Sequence, residues 1–257
     1  MQAVTVSWWS ISTSALSAQA FKELASVCSG AELARSKKFV FAHDARAYLA
    51  AHGLLRHALS DAQPCVEPDE WTFTASPNGR PELGVERASN LRFNLSHCAT
   101  RVNCIICPEL DCGIDVEPAG RRQSLGKNDL HFLGPSERAW LATQTEQAQH
   151  ESLMRFWTLK EALAKAVGLG LTLPFGELEF ELEPTAVLTS APAAGLGPWC
   201  LHQAVTADGH VESLAVRTAD PINLVRREWA AAARPQNVVP YPLTVAQMMP
   251  IQPWSVW

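Results

Sequence analysis

The sequence predicts a mixed fold of helices and strands, arranged in two halves of similar design. Two observations predict it. A strand–helix–strands order runs once before Pro118 and again after it. And the 257 residues, 47% apolar and 18% charged, can bury a sizeable core, which excludes a disordered chain and a disulfide-stapled mini-domain. A cleft between two such halves is where a site is expected. The expected division is 1–117, 118–234 and a proline-rich tail at 235–257.

Taken in order, Val4–Trp9 reads as a strand from its alternating Val4, Val6 and Trp8. Ser14–Ser26 reads as helical. Ala31–Leu59 is the longest helical stretch, broken near Ala42–Asp44 and then buried. Pro64–Asn90 is loop-rich, with a short strand near Trp71–Thr74 and a turn at Ser76-Pro77-Asn78-Gly79. Leu91–Leu95 and Val102–Cys107 read as strands joined tightly at Ser96–Thr100, and Cys112–Glu117 as another. Ser136–Thr145 starts like a helix, with Ser136 as a candidate cap. Glu151–Val167 is a strong helix, stopped by Gly168 and Gly170, and Pro174 bars its return. Leu178–Leu182 and Val211–Arg217 are later strands. The tail carries Pro235, Pro240, Pro242, Pro250 and Pro253 and reads as extended, with aromatic residues free to pack on the body.

The net charge of −5 is unlike that of a strongly basic nucleic-acid binder, and no nucleic-acid partner is expected. No run approaches the roughly 18 apolar residues of a membrane span, so no membrane association is expected. The first residues lack a basic start followed by an apolar stretch, so no secretory signal is expected. The seven cysteines are then expected as reduced thiols in a cytoplasmic protein.

Three stretches carry chemistry. In Gly113-Ile114-Asp115-Val116-Glu117, a strand puts Asp115 and Glu117 on one face and Ile114 and Val116 toward the core. Two adjacent carboxylates repel unless a cation neutralises them, and oxygen ligands suit Mg²⁺. The plain alternative is an exposed edge strand. In Phe156–Gly168, Glu161 and Lys165 share one face of an otherwise apolar helix that also carries Lys160. Alone they read as a surface ion pair; on a mostly buried helix such charges need partners such as a metal and a phosphate. In Phe93-Asn94-Leu95-Ser96-His97, Ser96 and His97 end a strand and can donate to a phosphate, although a lone histidine is more often structural. Arg35, Lys37, Lys38 and Arg46 form a basic group, or a solvated helix face, and Gly79-Arg80-Pro81 adds a cation on a tight turn. Together these suit a diphosphate held with Mg²⁺ and a further phosphate.

The motifs GRPEL (79–83), FNLSHC (93–98), GIDVE (113–117) and FWTLKEALAKAVGLGL (156–171), with KKFVFAHDARAYLAAHGLLR (37–56) before them, resemble the Sfp-type 4′-phosphopantetheinyl transferases, especially the broad-acting members. The resemblance covers roughly residues 30–180. It implies an α+β fold of two pseudo-symmetric half-domains, an antiparallel sheet packed on a long helix in each, with the active site in the cleft between them. The implied reaction moves the phosphopantetheine arm of coenzyme A to a serine of an apo acyl or peptidyl carrier protein, releasing adenosine 3′,5′-bisphosphate. It implies Asp115, Glu117 and Glu161 as Mg²⁺ ligands. It implies Glu161, directly or through a metal-bound water, as the base, and Lys165 as the diphosphate holder in the transition state, with His97 beside them as a further catalytic residue. Coenzyme A is expected to meet Arg35, Arg46, Gly79, Arg80, Pro81, Asn94, Ser96, His97, Asp115, Lys160, Glu161 and Lys165. Arg80 replaces the family's usual lysine, and Glu32 takes a position that is often basic. Fatty-acid, polyketide and peptide-synthetase carriers all remain open.

Acidic carriers suit a partly basic surface, for which Arg121, Arg122 and Lys127 are candidates, or ordinary loop charge. One chain builds both halves of the cleft, so a monomer is expected. A zinc module is the first rival, on Cys104-Ile-Ile-Cys107; residues three apart in a strand face opposite sides, and no second pair completes the site. A non-catalytic carrier or coenzyme A-binding module on the same fold is the second. The third, another Mg²⁺-dependent nucleotide phosphotransferase, lacks a G-x-x-x-x-G-K-[ST] loop.

Overall fold

In the computed structural model, the described residues are 3–84, 90–120, 130–193 and 197–229, together with the strand 236–242. The elements are β1 (Val4–Ser12), α1 (Ala18–Ser26), α2 (Gly30–Ser36), α3 (Ala42–Ala62), β2 (Phe73–Ala75), β3 (Pro81–Leu83), β4 (Leu91–His97), β5 (Arg101–Pro108), β6 (Cys112–Pro118), α4 (Pro135–Leu141), α5 (Glu146–Val167), β7 (Glu179–Glu181), β8 (Val187–Ser190), β9 (Trp199–Val205), β10 (His210–Arg217), β11 (Ile222–Glu228) and β12 (Gln236–Pro242).

Two sheets carry the architecture. One has the order β12-β11-β1-β5-β4, the other β6-β10-β9; β2-β3 and β7-β8 are two-stranded. The period-2 pattern of the strands decides how the sheets stack. On β1 and β5, Trp9, Ile11, Val102, Cys104 and Ile106 face α3, where they bury Leu54, Leu55 and Leu59. The opposite set, Val6, Trp8, Ile105 and Cys107, packs between the sheets on Ile114, Leu214, Val216 and Cys200. Val211, Ala215 and Leu201 on the far side of the second sheet bury Phe156, Leu159 and Leu163 of α5. The layers therefore run helix, sheet, sheet, helix. This is the expected α+β pairing of one long helix with one sheet in each half. One detail differs: the larger sheet is not wholly antiparallel, because β1 and β11 run parallel.

The division at 117/118 does not follow the sheets. β6 spans it and pairs with β10 of the second half, Asp115 lying opposite Ser213. β11 returns to the first half beside β1. The sheets part instead at the turn after β5, where Glu109 takes φ 60°.

Local chemistry explains most element ends. Ser17 caps α1, its Oγ accepting from the Ala20 N–H at 3.1 Å. Ser29 and Glu32 form a reciprocal capping box on α2. α5 begins five residues before the expected Glu151, capped by Thr145. It ends where expected, at Gly168 in the left-handed region (φ 81°). Ser136 is not the cap of α4; Gly134 is, with Pro135 following, and the Ser136 hydroxyl donates to Glu179. The sequence pattern does not anticipate β3, β8, β9 or β11. In β11 the pattern is masked by Arg226 and Arg227, whose guanidinium groups lie over Trp8 and Trp9 at 4.2 and 5.0 Å. The tail opens as β12 against β11; positions 235 and 243–257 lie outside the described residues.

Candidate active site

The site forms where β6 lies against α5. Gly113 permits that approach: a Cβ on it would stand 1.9 Å from the Ala162 carbonyl oxygen and 2.6 Å from the Ala166 nitrogen. With Ile114 turned between the sheets, Asp115 and Glu117 share the α5 side of the strand, as their spacing requires. Asp115 is 4% exposed. Its Oδ1 accepts from Lys165 Nζ at 2.6 Å and from Ser96 Oγ at 2.8 Å. Lys165 also donates to Ser96 Oγ at 3.0 Å and to the Ile114 carbonyl at 3.2 Å. Asp115 Oδ2 is buried without a hydrogen-bond partner. Glu161, one turn before Lys165, is half-buried. Burial raises its carboxyl above the ordinary carboxylate range; Lys165 opposes the rise, and Asp115 and Glu117 add to it. So the two expected carboxylates, the helical glutamate and the lysine do converge. They do not form a closed ligand cage: among the described residues no group of three His, Cys, Asp or Glu side chains is placed to hold a metal ion.

β4 supplies the other wall and splits the expected phosphate-binding pair. Adjacent strand residues face opposite sides. Ser96 faces β6 and joins Asp115 and Lys165. His97 faces α3, where burial pulls its imidazole below the ordinary histidine range, His52 and Lys165 add to this and Asp44 opposes it. Asn94, expected to meet coenzyme A, is buried, and its Oδ1 accepts from the Ile114 N–H at 3.0 Å. It fastens β6 to β4 instead.

Several other expected ligands are committed elsewhere. Lys160 is fully buried on the side of α5 away from the site. Its Nζ donates to Glu137 (2.5 Å) and to the carbonyls of Phe132 (2.6 Å), Phe175 (2.9 Å) and Leu178 (2.5 Å). A cation next to Glu161 in sequence is thus a core tether, because one residue along a helix turns the side chain by about 100°. Burial pushes the Lys160 ammonium down and the Glu137 carboxyl up, and each one's charge opposes the other's shift. Arg46 donates to the Leu16 carbonyl at 2.7 Å and lies over Phe21 at 4.3 Å, binding α3 to α1.

Gly79, at φ 80°, closes the expected turn, and Pro81 opens β3. Arg80 Nη1 donates to the Ala166 carbonyl at 3.0 Å, and Asn78 to the Gly168 carbonyl at 3.1 Å. This turn grips the last carbonyls of α5, where a cation also favours the helix dipole. Arg80 is therefore a cap on the helix that carries Glu161 and Lys165. Arg35 is exposed, 5.7 Å over the Tyr48 ring, and remains available to a ligand. Arg121, Arg122 and Lys127 lie outside the described residues.

Two buried glutamates brace the halves around the site. Glu32 is buried and accepts from the Ser29 N–H (2.6 Å), pairs with His52 Nδ1 (2.8 Å) and accepts from Arg56 Nη2 (3.0 Å). Burial works against its charge, but these partners outweigh it and hold the carboxyl at about 2. Between the sheets, Glu212 is fully buried and accepts from Arg101 Nε at 2.5 Å, from Asn103 Nδ2 at 2.9 Å and from Arg226. As for zinc, Cys104 lies under α3 and Cys107 between the sheets; all seven cysteines are free.

Comparison with known proteins gives a consistent family. The family model described as the 4′-phosphopantetheinyl transferase superfamily matches residues 111–219. One described as 4′-phosphopantetheinyl transferase, N-terminal, matches residues 13–107. The two matches meet at the turn after β5. The 4′-phosphopantetheinyl transferase HetI of Nostoc sp. is 35% identical over 201 residues, 76% of this chain and 81% of that protein. The L-aminoadipate-semialdehyde dehydrogenase-phosphopantetheinyl transferase of Mus musculus is 28% identical over 165 residues, 60% of this chain, which spans about half of its length (52%). Among solved structures, Thermotoga maritima holo-[acyl-carrier-protein] synthase overlaps 45% of this chain and 68% of that one, at 26% identity and a TM-score of 0.35.

Proposed function

This chain belongs to the 4′-phosphopantetheinyl transferase superfamily, and on that premise we propose that it moves the 4′-phosphopantetheine arm of coenzyme A onto a serine hydroxyl of an apo acyl or peptidyl carrier protein. The serine oxygen forms the new bond to the pantetheine-side phosphorus. The bond from that phosphorus to the bridging oxygen breaks, and adenosine 3′,5′-bisphosphate leaves. One observation carries the reading: Asp115, Lys165 and Ser96 hydrogen-bond to one another where the two halves meet, with Glu161 a helical turn away on the same face of α5.

In this reading Lys165 holds the diphosphate and Glu161 takes the serine proton. Its raised proton affinity suits a base better than an ordinary glutamate would. Ser96 positions Asp115 and Lys165 relative to each other. Arg35 and His97 border the nucleotide end. The donor chemistry, though not a closed cage of three, fits a hard divalent cation: Asp115 Oδ2 is buried and unpartnered, and Glu117 and Glu161 offer further carboxylate oxygens. Asp115, Glu117 and Glu161 would hold Mg²⁺. When bound, Mg²⁺ would offset the negative charge of the diphosphate.

No helix of the described residues is long and apolar enough to cross a membrane. Free thiols throughout suit a reducing cytoplasm, which we propose as the setting. Both walls of the site come from one chain, so we propose a monomer.

The test is intact-mass spectrometry of an apo carrier protein incubated with this protein and coenzyme A, with and without Mg²⁺. A gain of one phosphopantetheine mass that requires Mg²⁺ supports the reading. No gain on carriers from several pathways, with coenzyme A still bound, would favour a non-catalytic binding module.

A further inference from the structure

Among the described residues, five large hydrophobic side chains are strongly exposed, and three of them fall on one short segment: Leu33 at 38%, Val40 at 89% and Phe41 at 59%. The same segment exposes Arg35, Lys37 and Lys38. Among the described residues none of these three cations forms a salt bridge. Of the nearby carboxylates, Glu32 is buried and spent on His52 and Arg56, and Asp44 lies 3.4 Å from the His43 imidazole. Phe39 anchors the connection between α2 and α3 by packing its ring 5.3 Å from that of Tyr48. Phe41 stacks on His43, ring centroids 5.4 Å apart and 13° from coplanar. Val40 and Phe41 are thus presented on an anchored loop. Packing among the described residues does not account for a valine left 89% exposed, and exposed apolar side chains rimmed mainly by cations are the mark of an interaction surface.

The patch borders the site. It leads into α3, which packs on Phe93 and Leu95 of β4, the strand whose Ser96 bonds Asp115 and Lys165.

We propose that Leu33, Val40 and Phe41, with Lys37 and Lys38, form the docking surface for an acidic amphipathic helix of the carrier-protein domain that presents the target serine. This rests on the transferase reading above. Charge complementarity selects the occupant: unpaired cations around an apolar centre favour a helix with carboxylates flanking an apolar stripe, in a chain that is itself acidic overall (net charge −5). The apolar contacts set the lifetime of the encounter, and the lysines its rate and salt dependence.

Two measurements test it on the full-length protein. The first is fluorescence anisotropy with a labelled apo carrier whose target serine is replaced by alanine, so that binding is read without transfer. The second is steady-state transfer with the intact apo carrier. The Val40→Ser/Phe41→Ser double variant is expected to weaken carrier binding and to raise the carrier KM by about tenfold or more, with the coenzyme A KM and kcat unchanged. Lys37→Glu/Lys38→Glu is expected to weaken carrier binding and flatten its salt dependence. Melting temperatures of the variants report that they fold. If the coenzyme A KM rises instead, the patch serves the nucleotide and the proposal fails. If the Val40/Phe41 variant binds carrier as wild type does while wild type transfers normally, the patch fails and the function stands. If wild type binds carrier through the patch but transfers nothing, the function fails and the patch stands. Wild type that binds no apo carrier refutes the docking surface outright.

Discussion

Replacing Gly113 with alanine tests how closely the fold and the site are joined. The new Cβ would sit 1.9 Å from the Ala162 carbonyl oxygen, where ordinary contact begins at 3.4 Å. Both partners are backbone, so α5 and β6 must part by about 1.5 Å, since neither side can swing away as a flexible side chain would. Overpacking of this kind costs about 1–3 kcal/mol, or about 3–10 °C of melting temperature for a chain of this size. The catalytic cost is larger. Lys165 and Asp115 hydrogen-bond at 2.6 Å across that contact, and the shift would carry them out of reach of each other. A misplacement of about 1 Å costs roughly 100-fold in rate, so single-turnover transfer by Gly113→Ala should fall about that much. The assay follows the carrier's mass gain at 20 °C, well below the variant's melting transition. A variant that melts low yet transfers at the wild-type rate would break the proposed link between this glycine and the geometry at Lys165.

Lys160→Met should destabilise the protein by about 3–5 kcal/mol, because it leaves Glu137 charged and unpaired in the core; denaturant unfolding measures this, and a coenzyme A KM changed more than about threefold in the folded protein would return Lys160 to the site. Glu161→Gln should nearly abolish transfer while the melting temperature stays close to wild type, and near-normal turnover would remove Glu161 as the base. The third concerns acid. The Glu32 carboxyl, held at about 2 against an ordinary 4.5, contributes about 3 kcal/mol that is fully present above pH 4.5 and is lost as pH falls toward 2. Unfolding free energies of wild type and Glu32→Gln should therefore converge across that window, and a gap that stays constant from pH 6 to 2 would refute the assignment.

The parts of the site legible in the sequence are those governed by local periodicity. Asp115 and Glu117 share a face because strands alternate, and Glu161 and Lys165 share one because they are four apart on a helix. Gly168 stops α5 for a reason that lies in its own backbone. What was not legible depends on partners remote in sequence. Arg80 and Asn94 look like ligand residues, yet their partners are a backbone carbonyl 86 residues away and a backbone amide 20 residues away. Backbone groups leave no signature in side-chain composition. Lys160 and Lys165 are chemically alike, and only the packing of α4 and the loop before β7 around α5 separates a tether from a site residue. β11 escaped notice because its arginines are amphipathic: their stems and planes cover tryptophans, while their charge reads as solvent.

The parallel pairing of β11 with β1 also has a consequence for the order in which the molecule can form. Thr5 and Asn223 are neighbours in the sheet but 218 residues apart in the chain. While the polypeptide emerges from the ribosome, the first half appears with one long edge of β1 open. At about 5–20 residues per second, that edge waits on the order of ten seconds between the synthesis of β5 and that of β11. An unpaired edge rich in valine and tryptophan is a template for pairing with another chain. Deletion of the last forty residues should therefore turn a nascent chain into an aggregating one, even though every group proposed for catalysis has already been made.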